Sequence, residues 1–210
     1  MIYEQFAQVE SSMRDFLNAS ENVALFEGSP RTVGDRVEEA IKANIANLIK
    51  GIRNFDQKFA RRSMEDLAFE DAAGNYYAVD VKTHNLQTAF NMPNLTSVQR
   101  IAKLYRGTEN NFCLLKVDYS PDIATPVSAV HFLPIEHLDW ECLTLGALGW
   151  GQIQIANANR IKVDRTQTRK KWMLQLFDAL DVFYPAEISK IRERIDYFSL
   201  ERKFWMAQTD

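Results

Sequence analysis

The stretch "MEDLAFEDAAGNYYAVDVKTHN", residues 64–85, holds two apolar runs joined by the polar, glycine-containing connection EDAAGN, the pattern of a β-hairpin. On a strand, residues two apart share a face, so Asp80 and Lys82 point together while Val79 and Val81 point the other way. The valines suit a core; the charges do not. If the turn is centred near Ala72 and Ala73, Asp66 begins the first strand and falls close to Asp80, within reach of side chains that face each other across a strand pair. Glu65 then points to the opposite face, and Glu70 and Asp71 lie in the connection, at the far end of the hairpin from Asp80. A slip of one residue would exchange Glu65 and Asp66.

Outward from the hairpin, the segment 29–52 spaces Val33, Val37, Ala40, Ile41, Ile45, Leu48, Ile49 and Ile52 near the helical period, with Gly51 close to its end. The segment "PNLTSVQRIAKLY", 93–105, reads as a helix after Pro93, with Leu95, Val98, Ile101, Ala102 and Tyr105 on one side. "NFCLLKVDYS", 111–120, reads as a buried strand, and "PVSAVHFLPI" and "GQIQIANANRIKV" as a further strand pair. The end of the chain, about 167–207, is expected to be helical and broken into two segments by Pro185. Helix, hairpin, helix and strand in this order predict an α/β or α+β fold with a mixed β-sheet flanked by helices.

With 210 residues and 46% hydrophobic content, the chain suits one domain over 1–210, its C-terminal helices packing on that domain or forming a dimer seam. No repeat, low-complexity tract or long linker suggests a second one. The formal net charge of −3 gives no general affinity for polyanions, so a nucleic-acid site would be a local patch. No apolar run is long enough to span a bilayer and the N-terminus lacks the features of a signal peptide, so a cytoplasmic protein is expected. Cys113 and Cys142 sit in apolar surroundings without zinc-site spacing and read as free, buried thiols.

Two carboxylates, Asp66 and Asp80, beside the amine of Lys82 form a set that phosphodiester hydrolysis can use. Asp66 and Asp80, with the backbone carbonyl of Val81, offer oxygen ligands to Mg²⁺, a hard ion that keeps several waters. Lys82 would position or deprotonate the attacking water and offset developing negative charge. On the triplet Asp-x-Lys alone an ordinary same-face ion pair is the better reading, because such triplets are common by chance. Context favours the catalytic set: the carboxylate across the hairpin, the amphipathic helix carrying Glu38 and Glu39, and the polar loop "THNLQTAFNMPN" that follows the lysine. Two basic stretches, "KGIRNFDQKFARR" at 50–62 and "RIKVDRTQTRKK" at 160–171 with Arg169, Lys170 and Lys171, suit phosphate backbones or a solvated face. His84 is either a DNA contact or a loop residue, and the scattered histidines give no metal site.

Asp66 followed by Asp80-Val81-Lys82 resembles the PD-(D/E)XK nuclease signature, with Glu65 where that family often has proline. The run "DVKTHNLQTAFNMPNLTSVQRIAKL" is similar to the region after the catalytic strand in type II restriction endonucleases of the EcoRV-like branch. The likeness continues in order through "LLKVDY", "GWGQIQIAN" and "TRKKWMLQLF". It implies a restriction-type, Mg²⁺-dependent deoxyribonuclease that cuts double-stranded DNA at a short palindrome as a homodimer, functionally paired with a DNA methyltransferase. It also implies that Glu38, on the early helix, lies near the metal site, as a more distant and water-mediated partner. DNA contacts would come from Thr83, His84, Asn85, Gln87, Asn91 and Asn94 after the lysine, and from Gln152 and Gln154 in the turn around Gly149 and Gly151. Amide side chains can pair bidentately with adenine. The alternatives are a structure-specific repair or recombination nuclease of the same fold, and a DNA-binding module that does not cut.

Overall fold

A computed structural model of the chain describes residues 5–56, 65–121 and 123–209. Helices α1 (Phe6–Leu17) and α2 (Pro30–Leu48) lead into β1 (Arg53–Asp56), β2 (Leu67–Glu70) and β3 (Tyr76–Asn85). After them come β4 (Asn94–Ser97), α3 (Val98–Leu104), β5 (Asn110–Tyr119) and β6 (Val127–Pro134). Strands β7 (Leu143–Gly146) and β8 (Gln152–Ile155) precede α4 (Arg169–Met206). Contacts divide the chain into two units, Met1–Thr166 and Gln167–Asp210. The first is an α+β unit whose mixed sheet is flanked by helices, as the element order predicts.

Five strands form the main sheet in the order β1-β2-β3-β5-β6, antiparallel throughout except for the parallel pair β3 and β5. That pair needs a crossover, and the segment containing β4 and α3 supplies it. In the β2–β3 hairpin Leu67 stands opposite Val79 and Glu70 opposite Tyr76, so the turn is centred on Ala73 and Glu70, expected in the connection, instead ends β2 because it still pairs with Tyr76. Asp71 closes its turn. One carboxylate oxygen accepts the N–H groups of Ala73 and Asn75 at 2.9 and 3.0 Å, and the other accepts from the Asn75 amide and the Tyr77 hydroxyl. Burial pushes the Asp71 pKa up, but these bonds outweigh it and hold the carboxyl below its usual range. Gly74, at φ 83°, takes the left-handed conformation that the turn needs.

The two faces of β3 sort as the alternation requires. Val79 and Val81 join one apolar core with Cys113, Leu115 and Val117 of β5, with Val130 and Phe132 of β6, and with α1 and α2. Helix α2 starts where Ser29 accepts the Thr32 N–H and Pro30 fits the first turn. Its buried stripe Val33, Val37, Ile41 and Ile45 lies in that core. Gly34 stands where a Cβ would come within 3.3 Å of the Thr83 hydroxyl, so the glycine lets the helix approach β3 closely. Asp80, Lys82 and His84 occupy the other face, paired across the ladder with Leu114, Lys116 and Asp118.

Four other expectations are corrected. Residues 94–97 are a strand, not the start of a helix: Asn94, Thr96 and Ser97 pair with β8, and the helix begins at Val98 because Ser97 accepts the Arg100 N–H. The segment 127–134 pairs with β5 rather than with 152–155, which instead forms a separate three-stranded sheet, β4-β8-β7. The residues of 156–163 do not continue β8; an isolated bridge joins Leu138 to Val163. Pro185 does not break the C-terminal segment, and α4 runs unbroken for 38 residues. A proline forfeits one backbone bond, and in a helix this long the turns on either side still propagate cooperatively. Cys113 and Cys142 are buried and form no disulfide with one another, as expected. Of the first basic stretch, Arg53–Asp56 forms β1, and residues 57–62 lie outside the described residues.

The core assigns Ile41, fully buried on α2, a large share of the packing against the sheet. Ile41→Ala should lower unfolding free energy by about 2–5 kcal/mol in urea titrations; a loss below about 0.5 kcal/mol would mean that α2 does not cover the sheet as described.

Candidate active site

Asp66 stands one residue before β2 and continues its ladder, its N–H donating to the Val79 carbonyl at 3.0 Å. Its carboxylate Oδ2 accepts the Val81 N–H at 2.7 Å, so a side chain takes the place of the next backbone acceptor. The register thereby brings Asp66 opposite Asp80. Glu65 is engaged elsewhere, accepting from the Tyr76 hydroxyl at 3.2 Å.

Asp80 is the buried member of the set, its side chain 7% exposed. Lys82 Nζ donates to its Oδ1 at 2.6 Å, reaches the Val81 carbonyl at 3.3 Å and stands 3.9 Å from Asp66 Oδ2. Asp80 Oδ2 is buried with no hydrogen-bond partner. Leaving such an atom unsatisfied costs about 1–3 kcal/mol, and more for a charge. Burial pushes the Asp80 pKa up to about 7; Lys82 opposes this, while the charges of Asp66 and Glu38 push the same way. Glu38, half-exposed on α2 and ion-paired with Lys42, thus acts on the site through its field.

These residues form the base of a polar cleft of about 460 Å³. Asn94 to Ser97 of β4, Gln99 and Arg100 of α3, Leu148 to Trp150 of the β7–β8 turn and Gln152 at the start of β8 complete it. The small sheet is therefore what roofs the charged strand. Gly149, at φ 59°, and Gly151, at φ 106°, give the turn its path. Gln154 does not line this cleft but donates to Asn94 Oδ1 at 2.6 Å, and its amide passes where a Cβ on Gly146 would collide with it.

The remaining polar residues after Lys82 are placed differently. Thr83 faces α2 beside Gly34. His84 is buried and fastens two loops, with Nε2 2.9 Å from Asn159 Oδ1 and Nδ1 3.4 Å from the Asn91 amide. Asn159 extends the clasp by donating to the carbonyls of Thr88 and Ala89. Asn85 accepts the Gln87 N–H, leaving the Gln87 side chain exposed. Arg169, Lys170 and Lys171 form the first turn of α4, in the second unit, where Thr168 accepts the Lys171 N–H.

Arg100, Gln99, Thr96 and Trp150 come to the cleft without having been singled out in the sequence. The available signal was Ser97, a helix cap that sets Gln99 and Arg100 in the first turn of α3. Lys116, Asp118 and His131 were also missed. Lys116 and His131 pair with Asp118 on the face that carries Lys82 and His84. Burial raises the Asp118 pKa, but its bonds to His131 and Lys116 dominate and keep its carboxyl below the usual range.

Two carboxylates opposite one another, a buried acceptor without a donor and a nearby carbonyl are a donor set for a hard, partly hydrated cation. Among the described residues no three His, Cys, Asp or Glu side chains gather into a metal cage, so the protein's share here is small and waters would complete the shell.

Folding raises the pKa of Asp80 from 3.8 to about 7, so its contribution to stability is greatest in acid and falls as pH rises from about 4 to about 7. Asp80→Asn should therefore be more favourable relative to wild type at pH 8 than at pH 5 in urea unfolding without divalent ions. An equal difference at both pH values would place this carboxyl in water.

No model of a known protein family matches the chain, and no curated protein matches it significantly.

Proposed function

We propose that the chain is a Mg²⁺-dependent, restriction-type deoxyribonuclease that hydrolyses double-stranded DNA at a short palindrome as a homodimer. The observation that carries this reading is the convergence of Asp66, Asp80 and Lys82 at the base of one cleft, with Asp80 Oδ2 buried and lacking a donor. Two carboxylates would repel a phosphodiester unless a cation stood between them. Mg²⁺, when bound, lowers the pKa of a coordinated water and neutralises charge on the phosphate. Asp66 and Asp80 would hold it, with the Val81 carbonyl.

In hydrolysis a water oxygen bonds to phosphorus as one phosphorus–oxygen bond to the sugar breaks, and the departing oxygen takes up a proton. Lys82, held against Asp80, would orient or deprotonate that water and offset the negative charge of the transition state. Asn94, Gln152 and Arg100 line the walls, where they would meet base edges and phosphate oxygens. Asn85, Gln87, Asn91 and Gln154, which do not line the cleft, would add further DNA contacts. A two-fold axis relating two such clefts would address both strands of a palindrome. A nuclease of this kind would work in the cytoplasm beside a DNA methyltransferase that protects the host's own sites.

Plasmid DNA digested in Mg²⁺ should give discrete bands. Asp80→Ala, Lys82→Ala and Asp66→Ala should each lose several orders of magnitude in cleavage rate, and Glu65→Ala should keep most of it. In thermal melts, Mg²⁺ should stabilise wild type more at pH 8 than at pH 5, and this shift should vanish in Asp80→Ala. A smear or nicked junctions would point to a structure-specific nuclease, and binding without cleavage to a DNA-binding module. Near wild-type cutting by Asp80→Ala or Lys82→Ala would end the proposed chemistry.

Replacing Arg169, Lys170 and Lys171 together by alanine should weaken binding to all sequences alike and flatten its salt dependence, as loss of phosphate contacts does. An unchanged slope in filter-binding titrations would put this turn outside the DNA interface.

A further inference from the structure

Along α4 the exposed apolar residues keep a seven-residue beat. Phe177, Tyr184, Ile191, Phe198 and Trp205 follow one another at intervals of seven, and Leu174, Ile188 and Ile195 form a second row three residues ahead. These are the two inner rows of a heptad, and the places left in the second row hold Asp181 and Arg202. All eight apolar members are between 38% and 69% exposed. Val182, Tyr197, Leu200, Phe204 and Met206 are exposed off this stripe, so the apolar surface of α4 is wider than the two rows. Between the rows runs an open apolar groove of about 420 Å³, lined by Ile191, Arg194, Ile195, Phe198, Ser199 and Arg202. A seven-residue repeat is what keeps a straight seam on a helix that winds around another.

We propose that this stripe is a self-association surface through which two copies of the chain pair as an antiparallel coiled coil. Charge decides the direction. In a parallel pair every inner residue meets its own copy, so Asp181 would face Asp181 and Arg202 would face Arg202. In an antiparallel pair centred between Ser189 and Lys190, Ile188 faces Ile191, Tyr184 faces Ile195 and Leu174 faces Trp205. The Tyr184 ring of the second copy then enters the groove between Ile191, Arg194, Ile195 and Phe198. Its Asp181 comes over Ser199 and Arg202, forming an ion pair that the two-fold axis repeats. Glu187 and Arg194 flank the seam and meet in the same arrangement, and Arg202 comes against the face of Phe177.

The paired stretch, from Leu174 to Trp205, is about 48 Å long. The four aromatic side chains of each copy, at about 150–250 Å² apiece and a little over half exposed, would bury on the order of 650–1,100 Å² in total, and the four aliphatic side chains of each copy bring the seam towards the range of a stable interface. The pairing supplies the homodimer of the proposed nuclease with a seam, and to that extent deepens that reading, but the helix alone carries it.

Two experiments on the full chain test it. In sedimentation equilibrium, wild type should be a dimer. Arg202→Asp should weaken dimerisation at least tenfold, and Asp181→Arg with Arg202→Asp should restore it, which no parallel pairing allows because each charge would still face its own copy. Under mild oxidation, a mixture of Leu174→Cys and Trp205→Cys should form a disulfide-linked dimer, while either variant alone, like wild type with its buried Cys113 and Cys142, should not. A monomeric wild type, a self-linked Leu174→Cys, or absence of rescue would overturn the pairing. A dimer with this geometry that cuts no DNA would retire the nuclease reading and leave the pairing standing; a cleaving monomer would do the reverse.

Discussion

The registration of β2 against β3 governs nearly everything that follows in the first unit. It is set at one end by the Asp71 turn and at the other by the Asp66 carboxylate on the Val81 N–H. Because a strand alternates faces, this single alignment sends Val79 and Val81 into the core and sends Asp80 and Lys82 into the cleft. A displacement by one residue would bury the charges against α2 and expose the valines. The cost of that alternative, several apolar side chains in water and two unpaired charges in the core, makes the alignment stiff. Site and core are thus two readouts of the same hairpin.

The electrostatics of the site run against the stability of the fold. A buried carboxylate with two other acids close by would be neutral near pH 7 if burial and like charges acted alone; Lys82 partly restores its charge. Such an arrangement is poorly solvated by protein and well matched to a cation. Proteins keep groups of this kind where chemistry needs them, and the rest of the structure compensates. Here the compensation is visible in the core of α1, α2 and the valine face of the sheet.

The hairpin, its register and the Asp80–Lys82 pair were legible in the sequence because they rest on short-range rules: a two-residue alternation and a polar, glycine-bearing turn. The small sheet was not. Leu95 stands three residues before Val98, a spacing that fits a helix equally well, and only pairing with β8, more than fifty residues later, makes Asn94 to Ser97 extended. Arg100 and Trp150 reach the cleft through that same distant pairing; the Ser97 cap marks Arg100 as a first-turn residue, but nothing local marks the cleft itself. His84 shows the reverse case. A histidine in a polar loop invites a functional role, yet burial and its bond to Asn159 make it a clasp between two loops. The unbroken α4 shows that one proline is a weak terminator when both flanks favour the helix.

The bond from the Val81 N–H to the Asp66 carboxylate also bears on how position 66 can change over time. One side chain there closes the end of a strand ladder and supplies a charge to the cleft, so the fold and the electrostatics of the cleft depend on the same atoms. Asparagine would keep the acceptor and lose the charge, and glutamate would keep the charge and displace the acceptor. Neighbouring Glu65 carries no such double duty, and drift there should be free by comparison. Of the two adjacent acids, the first can vary among descendants of this chain, while the second is fixed twice over.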